Sequence, residues 1–156
     1  MKRERAGRRL AVGALLPFVL TGCGMFGPPE YETDERTITV DAGEEFTLSV
    51  PANPNLGQNW YLSDPRPDTK VLRYGGRREE FEGGKPGVTG SGDGTQYFDF
   101  TAVASGTTTV KLLHCPMARC HSAAQAEATS PPVPTATGTT EPDDEPAYFL
   151  YEVTVR

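Results

Sequence analysis

The side chains best suited to chemistry lie in one octapeptide, His114-Cys115-Pro116-Met117-Ala118-Arg119-Cys120-His121. It holds both histidines of the 156-residue chain and two of its three cysteines. Three chemistries suit residues of these types. A disulfide between Cys115 and Cys120 would close a short loop in an oxidising compartment and add about 2 kcal/mol by chain entropy. A soft or borderline ion, Cu(I) or zinc, would find ligands in His114, Cys115, Met117, Cys120 and His121. Neighbours in an extended strand face opposite sides, however, so His114 and Cys115 reach one ion together with difficulty. Covalent haem attachment uses a shorter spacing than the Cys-x4-Cys-His run here. The disulfide is the expected outcome, with no metal and no cofactor.

The third cysteine has another setting. Lys2, Arg3, Arg5, Arg8 and Arg9 precede a short apolar stretch, Leu10 to Leu20, and Leu20-Thr21-Gly22-Cys23 follows. The apolar stretch is too short for a mature membrane span. Small residues before a cysteine resemble the bacterial lipobox. That resemblance implies a signal peptide over 1–22, cleavage before Cys23, lipid such as palmitate on the new N-terminal residue, and a chain anchored to the outer side of the cell membrane. Arg8-Arg9 leaves the export route open between the general and twin-arginine systems. Cleavage would remove five basic residues and one acidic residue, so a net charge of −6 would become −10. An acidic surface repels phosphate backbones, which argues against nucleic acid as a partner.

No enzyme constellation is present. The sequence holds no nucleophile elbow, no phosphate loop and no metal-spaced His/Glu pair. Asp143, Asp144 and Glu145 read as solvating charge. The expectation is a binding protein and not an enzyme.

The elements that would position these residues are strands. Residues 23–36 are rich in Pro, Gly and acid and read as a tether. About 120 residues remain, enough for one domain with a modest core. They show short runs of period two. Ile38 and Val40 share a face, as do Phe46, Leu48 and Val50, then Trp60 and Leu62, Phe98 and Phe100, Val110 and Leu112, and Tyr151, Val153 and Val155. Alternation with β-branched and aromatic residues predicts half-buried strands. With one weaker run at 70–74, about seven strands predict an all-β, immunoglobulin-like sandwich over 37–156, or else a small open barrel. Residues 75–94 contain eight glycines and read as a long adaptable loop. Residues 122–146, rich in Pro, Thr, Ala and acid, read as a disordered insertion before the last strand.

One loop stands out between two of the strands: "VPANPNLGQNW", residues 50–60. Pro54 fixes its own φ and restricts Asn53, and Gly57 suits a reversal at positive φ. A loop this stiff loses little entropy on docking. The motif resembles the first signature of the chagasin-type inhibitors of cysteine proteases, an Asn-Pro-x-x-Gly loop with a tryptophan three residues on. "SGDGTQYFDFTAVASGTTTVKLL", residues 91–113, resembles the second. The resemblance implies an immunoglobulin-like sandwich with three loops that enter the cleft of papain-type enzymes. Asn53, Pro54, Asn55, Leu56 and Gly57 would form the wedge nearest the catalytic thiolate. Ser91, Gly92, Asp93 and Gly94 would form the second loop. The third loop departs from the family's Arg-Pro-Trp pattern and reads Cys115, Pro116 and Met117. Inhibition would be steric and non-covalent. An envelope lipoprotein that uses the same scaffold to bind another protein, or in a structural role, is the alternative; metal handling is a further one.

Overall fold

A computed structural model describes residues 27–81, 93–137 and 144–156. Eight strands form two four-stranded sheets: β1 (Glu30–Tyr31), β2 (Thr37–Val40), β3 (Glu45–Ala52), β4 (Asn59–Leu62), β5 (Leu72–Phe81), β6 (Gly94–Ala102), β7 (Gly106–Cys115) and β8 (Ala147–Val155). One sheet has the order β1-β3-β6-β5 and the other β2-β8-β7-β4. β1 pairs with β3, and β2 with β8, in parallel; the other pairings are antiparallel. The fold is the all-β sandwich that the alternation predicts.

The period-two faces meet between the sheets. Phe46, Leu48 and Val50 of β3 and Phe98 and Phe100 of β6 lie against Ile38, Trp60, Val110, Leu112, Tyr151 and Val153, all of them buried. Phe46 stacks on Phe100 at 5.4 Å between ring centroids. Alternation explains the register: Phe46 lies opposite Phe100 and Leu48 opposite Phe98, so a slip of one residue would turn one of the two apolar rows to water.

Three segments depart from the sequence expectation. The tether is shorter than residues 23–36 suggest: Glu30 and Tyr31 add a strand to β3, and the Tyr31 ring packs edge-on against Phe46 at 5.8 Å. The loop expected over residues 75–94 does not begin at residue 75, and residues 82–92 lie outside the described residues. β5 continues through Gly75 and Gly76 to Phe81, because β6 is long enough to pair with it as far as Gly94. Charges along this stretch pair with one another, Arg77 with Glu79 at 3.2 Å and Arg78 with Glu80 at 2.8 Å, and alternation is lost because both faces are wet.

The third departure is residues 122–146, expected to be disordered. A short helix, α1 (Ala123–Glu127), follows the disulfide, and the backbone near Thr135 bridges to Tyr148. Ser122 caps α1 by accepting the Gln125 N–H at 3.1 Å, and the Gln125 side chain accepts the His121 N–H at 2.7 Å. The first bond is an N-cap, and the second ties the residue before the cap to the first turn. Ala126 and Val133 then cover Leu113, Cys115 and Tyr148 on the outer face of β7 and β8. Leu113 breaks the alternation of β7 for this reason: its face has a second, smaller core. Residues 138–143 lie outside the described part, as do residues 1–26, which include the expected signal peptide and Cys23.

Candidate protease-binding end

The strand registers bring three loops to one end of the sandwich. Ala52 lies opposite Gly94, Phe81 also lies opposite Gly94, and Asn59 lies opposite Cys115. The 53–58 loop, the connection from β5 to β6 and the 116–121 turn therefore share that end. Of the predicted second-loop residues, Asp93 is exposed and Gly94 half-buried. Ser91 and Gly92 lie outside the described residues.

The first loop is built from its own backbone. Residues Pro54–Leu56 form one turn of 3-10 helix. The Asn53 carbonyl accepts from the N–H of Leu56 and of Gln58, each at 2.9 Å, and the Asn53 side-chain oxygen also accepts from Leu56 N–H at 3.2 Å. Asn53 itself is buried, whereas Asn55 and Leu56 project into solvent. Gly57 takes φ +73°, as its position in the motif predicts. Trp60 anchors the base of the loop. It is fully buried, as expected, and its indole N–H donates to the Pro51 carbonyl at 2.7 Å. Its backbone N–H donates to the Gln96 side chain at 2.7 Å, which joins the two sheets beneath the loop.

The third loop is closed by the expected disulfide. Cys115 and Cys120 are bonded, with their Cα atoms 5.5 Å apart. Both thiols are consumed, so neither is free to bind a metal as a thiolate. The two histidines also part: His114 packs against Trp60 at 4.6 Å in the core, while His121 is exposed. Between the cysteines, Met117 and Ala118 both hold left-handed backbone, φ 46° and 53°. Left-handed residues with a side chain cost free energy and persist where their surroundings hold them. Here the disulfide holds one side and the first loop the other. Ala118 N–H donates to the Gly57 carbonyl at 2.8 Å, and a Cβ on Gly57 would lie 2.5 Å from that same nitrogen. The two loops are therefore one interlocked unit.

Sequence reading missed two contributors to this end. Phe81, at the tip of β5, is about half exposed (49%), and a Cβ on Gly94 would sit 2.7 Å from its ring. The lone aromatic after "RREE" was its only sequence signal. The contact between Gly57 and Ala118 joins residues 61 positions apart, and no local pattern encodes it.

Residues 39–115 match the Chagasin family peptidase inhibitor I42. The match runs from β2 to the end of β7 and stops before the left-handed turn. The crystal structure of the cysteine protease inhibitor EhICP2 from Entamoeba histolytica has a similar fold, with a TM-score of 0.51 at 17% identity over 82% of this chain and 95% of that one. The solution structure of Amebosin aligns at a TM-score of 0.49 with 18% identity, over 83% of this chain and 100% of that one. No curated protein matches the chain. The sandwich of EhICP2 is the fold found here.

Proposed function

We propose that this chain inhibits papain-type cysteine proteases by seating the 53–57 wedge, the 91–94 loop and the 115–120 turn in the enzyme cleft. The observation that carries this reading is a concentration of exposed apolar side chains. Of five large hydrophobic residues exposed among the described ones, Leu56, Phe81 and Met117 lie at the end where the loops gather. Single exposed apolar residues are ordinary, but a cluster on rigid loops marks a binding surface. The match to a peptidase-inhibitor family supplies the class of partner.

The first loop suits inhibition more than cleavage. A substrate must lie extended and offer its backbone groups to the enzyme. Residues 54–56 are coiled, and the N–H groups of Leu56 and Gln58 are already used by Asn53. The scissile geometry is not reached, so the thiolate has no aligned carbonyl to attack. Binding energy then comes from burying Leu56, Met117 and Phe81 and from the small entropy lost by loops already fixed.

The third loop favours a second reading, in which the same end binds a different envelope protein. Cys115 and Met117 stand where the family pattern has arginine and an aromatic residue, both frequent hot-spot types. An inhibition assay of the purified chain against a broad panel of papain-type proteases separates the two: inhibition of at least one supports the first, and inhibition of none leaves the second. We also propose that Cys23 becomes the lipidated N-terminus and holds the protein at the outer side of the cell membrane. Two or more acyl chains would hold it stably. Mass spectrometry of membrane-associated protein should find a chain starting at acylated Cys23; an intact or differently cut N-terminus would remove the anchor.

A further inference from the structure

β5 is a sheet edge of ten residues, and no described strand lies on its outer side. Every residue from Arg77 to Phe81 is exposed. Natural edges are protected by shortness, proline, bulges or charge that repels a copy of itself. β5 has one register irregularity between Tyr74 and Gly76. Beyond it the strand is regular and free of proline. Its charges can complement those of a copy, because two arginines are followed by two glutamates.

We propose that the second half of β5 pairs antiparallel with β5 of a second copy of this chain. A two-fold axis normal to the sheet keeps each side chain on its own face, and directly opposed residues of antiparallel strands share a face. Opposed positions must therefore differ by an even number. With Glu79 on the axis, Arg78 faces Glu80 of the second copy, and Glu80 faces its Arg78. Both residues lie on the solvent face of the sheet. There Arg78 lies over the Tyr97 ring at 4.0 Å and pairs with Asp99 at 3.5 Å. The neighbouring register, centred on Arg78, would instead use Arg77 and Glu79. Those two are already committed inward: Arg77 donates to the Trp60 carbonyl at 3.1 Å, and Glu79 accepts from Gln96 at 2.8 Å. The inward bonds of Arg77 and Glu79 thus select the first register, in which Arg78 and Glu80 exchange their pairing within the chain, at 2.8 Å, for the same pairing across the axis. The two Glu79 carboxylates that meet on the axis oppose one another, a cost that Arg77, paired with Glu79 at 3.2 Å in each copy, offsets. The contact is isologous, with main-chain hydrogen bonds for affinity and the Arg78–Glu80 pairs for register. A strand-sized interface makes a reversible dimer, well short of a permanent one. The two loop ends would point in opposite directions.

Sedimentation velocity of the full chain over a concentration series tests this. A concentration-dependent dimer is expected. Arg78→Glu and Glu80→Arg should each weaken it by about tenfold, since each turns two attractive pairs into repulsive ones. The double variant R78E/E80R restores opposite charges and should return dimerisation to near the parent level. Glu79→Cys, on the axis, should crosslink to its own copy under mild oxidation well above the parent background, and Arg73→Cys should not. Thermal unfolding of each variant separates dimer loss from misfolding. A monomer at every concentration, a dimer indifferent to both single reversals, or a double variant no better than the singles would each overturn the proposal.

Discussion

Replacing Gly57 with alanine tests the interlocked loops most sharply, because one methyl group meets two separate obstacles. The first is the backbone. At φ +73° a residue with a Cβ sits in left-handed space, at about 1–2 kcal/mol. The second is contact. The new Cβ would lie 2.5 Å from Ala118 N, far inside ordinary packing distance, and that atom belongs to backbone held near a disulfide. The loops must part, and the hydrogen bond from Ala118 N–H to the Gly57 carbonyl goes with them, at about 0.5–1.5 kcal/mol. Together these come to about 1.5–3.5 kcal/mol, or roughly 10- to 300-fold in an equilibrium constant. Urea unfolding measures the share lost from the whole fold, and inhibition constants measure the share lost from the binding end. Wild-type unfolding with weakened inhibition is as informative as the reverse, because both say that the loops have separated. A Gly57→Ala protein that unfolds within about 0.5 kcal/mol of wild type and inhibits equally well would refute the interlock, since neither obstacle would then exist.

Trp60→Ala should lower stability by about 3–5 kcal/mol in denaturant unfolding, because the side chain is fully buried and its N–H fixes the end of β3; a loss under about 1 kcal/mol would contradict that packing. Cys115→Ala combined with Cys120→Ala should cost about 2 kcal/mol and weaken inhibition as well, through release of Met117 and Ala118; unchanged inhibition would show that the third loop does not contribute. Burial pushes the Tyr151 phenol well above its ordinary value of 10.0, with Arg36 pulling it part of the way back. A raised folded-state value means that this contribution is complete below pH 10 and is lost as pH rises beyond it, while the unfolded chain ionises first. Tyr151→Phe should therefore flatten the fall in stability measured above that pH. It should cost less than about 1 kcal/mol at neutral pH, since the buried hydroxyl has no hydrogen-bond partner among the described residues; a loss of several kcal/mol would expose one.

Much of the sandwich was legible because the sheets are two-faced. Phe46, Leu48 and Val50 alternate with Thr47, Ser49 and Pro51 since one side of β3 meets the core and the other carries polar or exposed positions, where Thr47 is covered and bonded to Asp99, and Tyr151, Val153 and Val155 alternate likewise in β8. β5 was not legible beyond Tyr74. Its second half has no dry face, and its place in the sheet comes from β6. Alpha-helical residues 123–127 were hidden in a composition that resembles a linker, because small residues such as Ala126 suffice to cover Leu113 once the disulfide holds the chain nearby. At the binding end, Asn-Pro-x-x-Gly announced both its turn and the positive φ of Gly57, since those constraints are local. The grip of Ala118 on Gly57 is a tertiary contact and left no mark in either stretch alone. Cys115 and Cys120 were predictable as a pair from their count and the expected oxidising compartment, but the left-handed Met117 between them was not, because nothing in its side chain favours that conformation.

The most direct test of the central claim is a titration of one active-site-counted papain-type protease with this chain, read by hydrolysis of a small peptide substrate and followed by mass analysis of the chain. Stoichiometric 1:1 inhibition, competitive with substrate, reversed on dilution and leaving residues 53–57 uncut, is the expected result. Cleavage within that loop, or inhibition that does not compete with substrate, would contradict a wedge seated in the cleft.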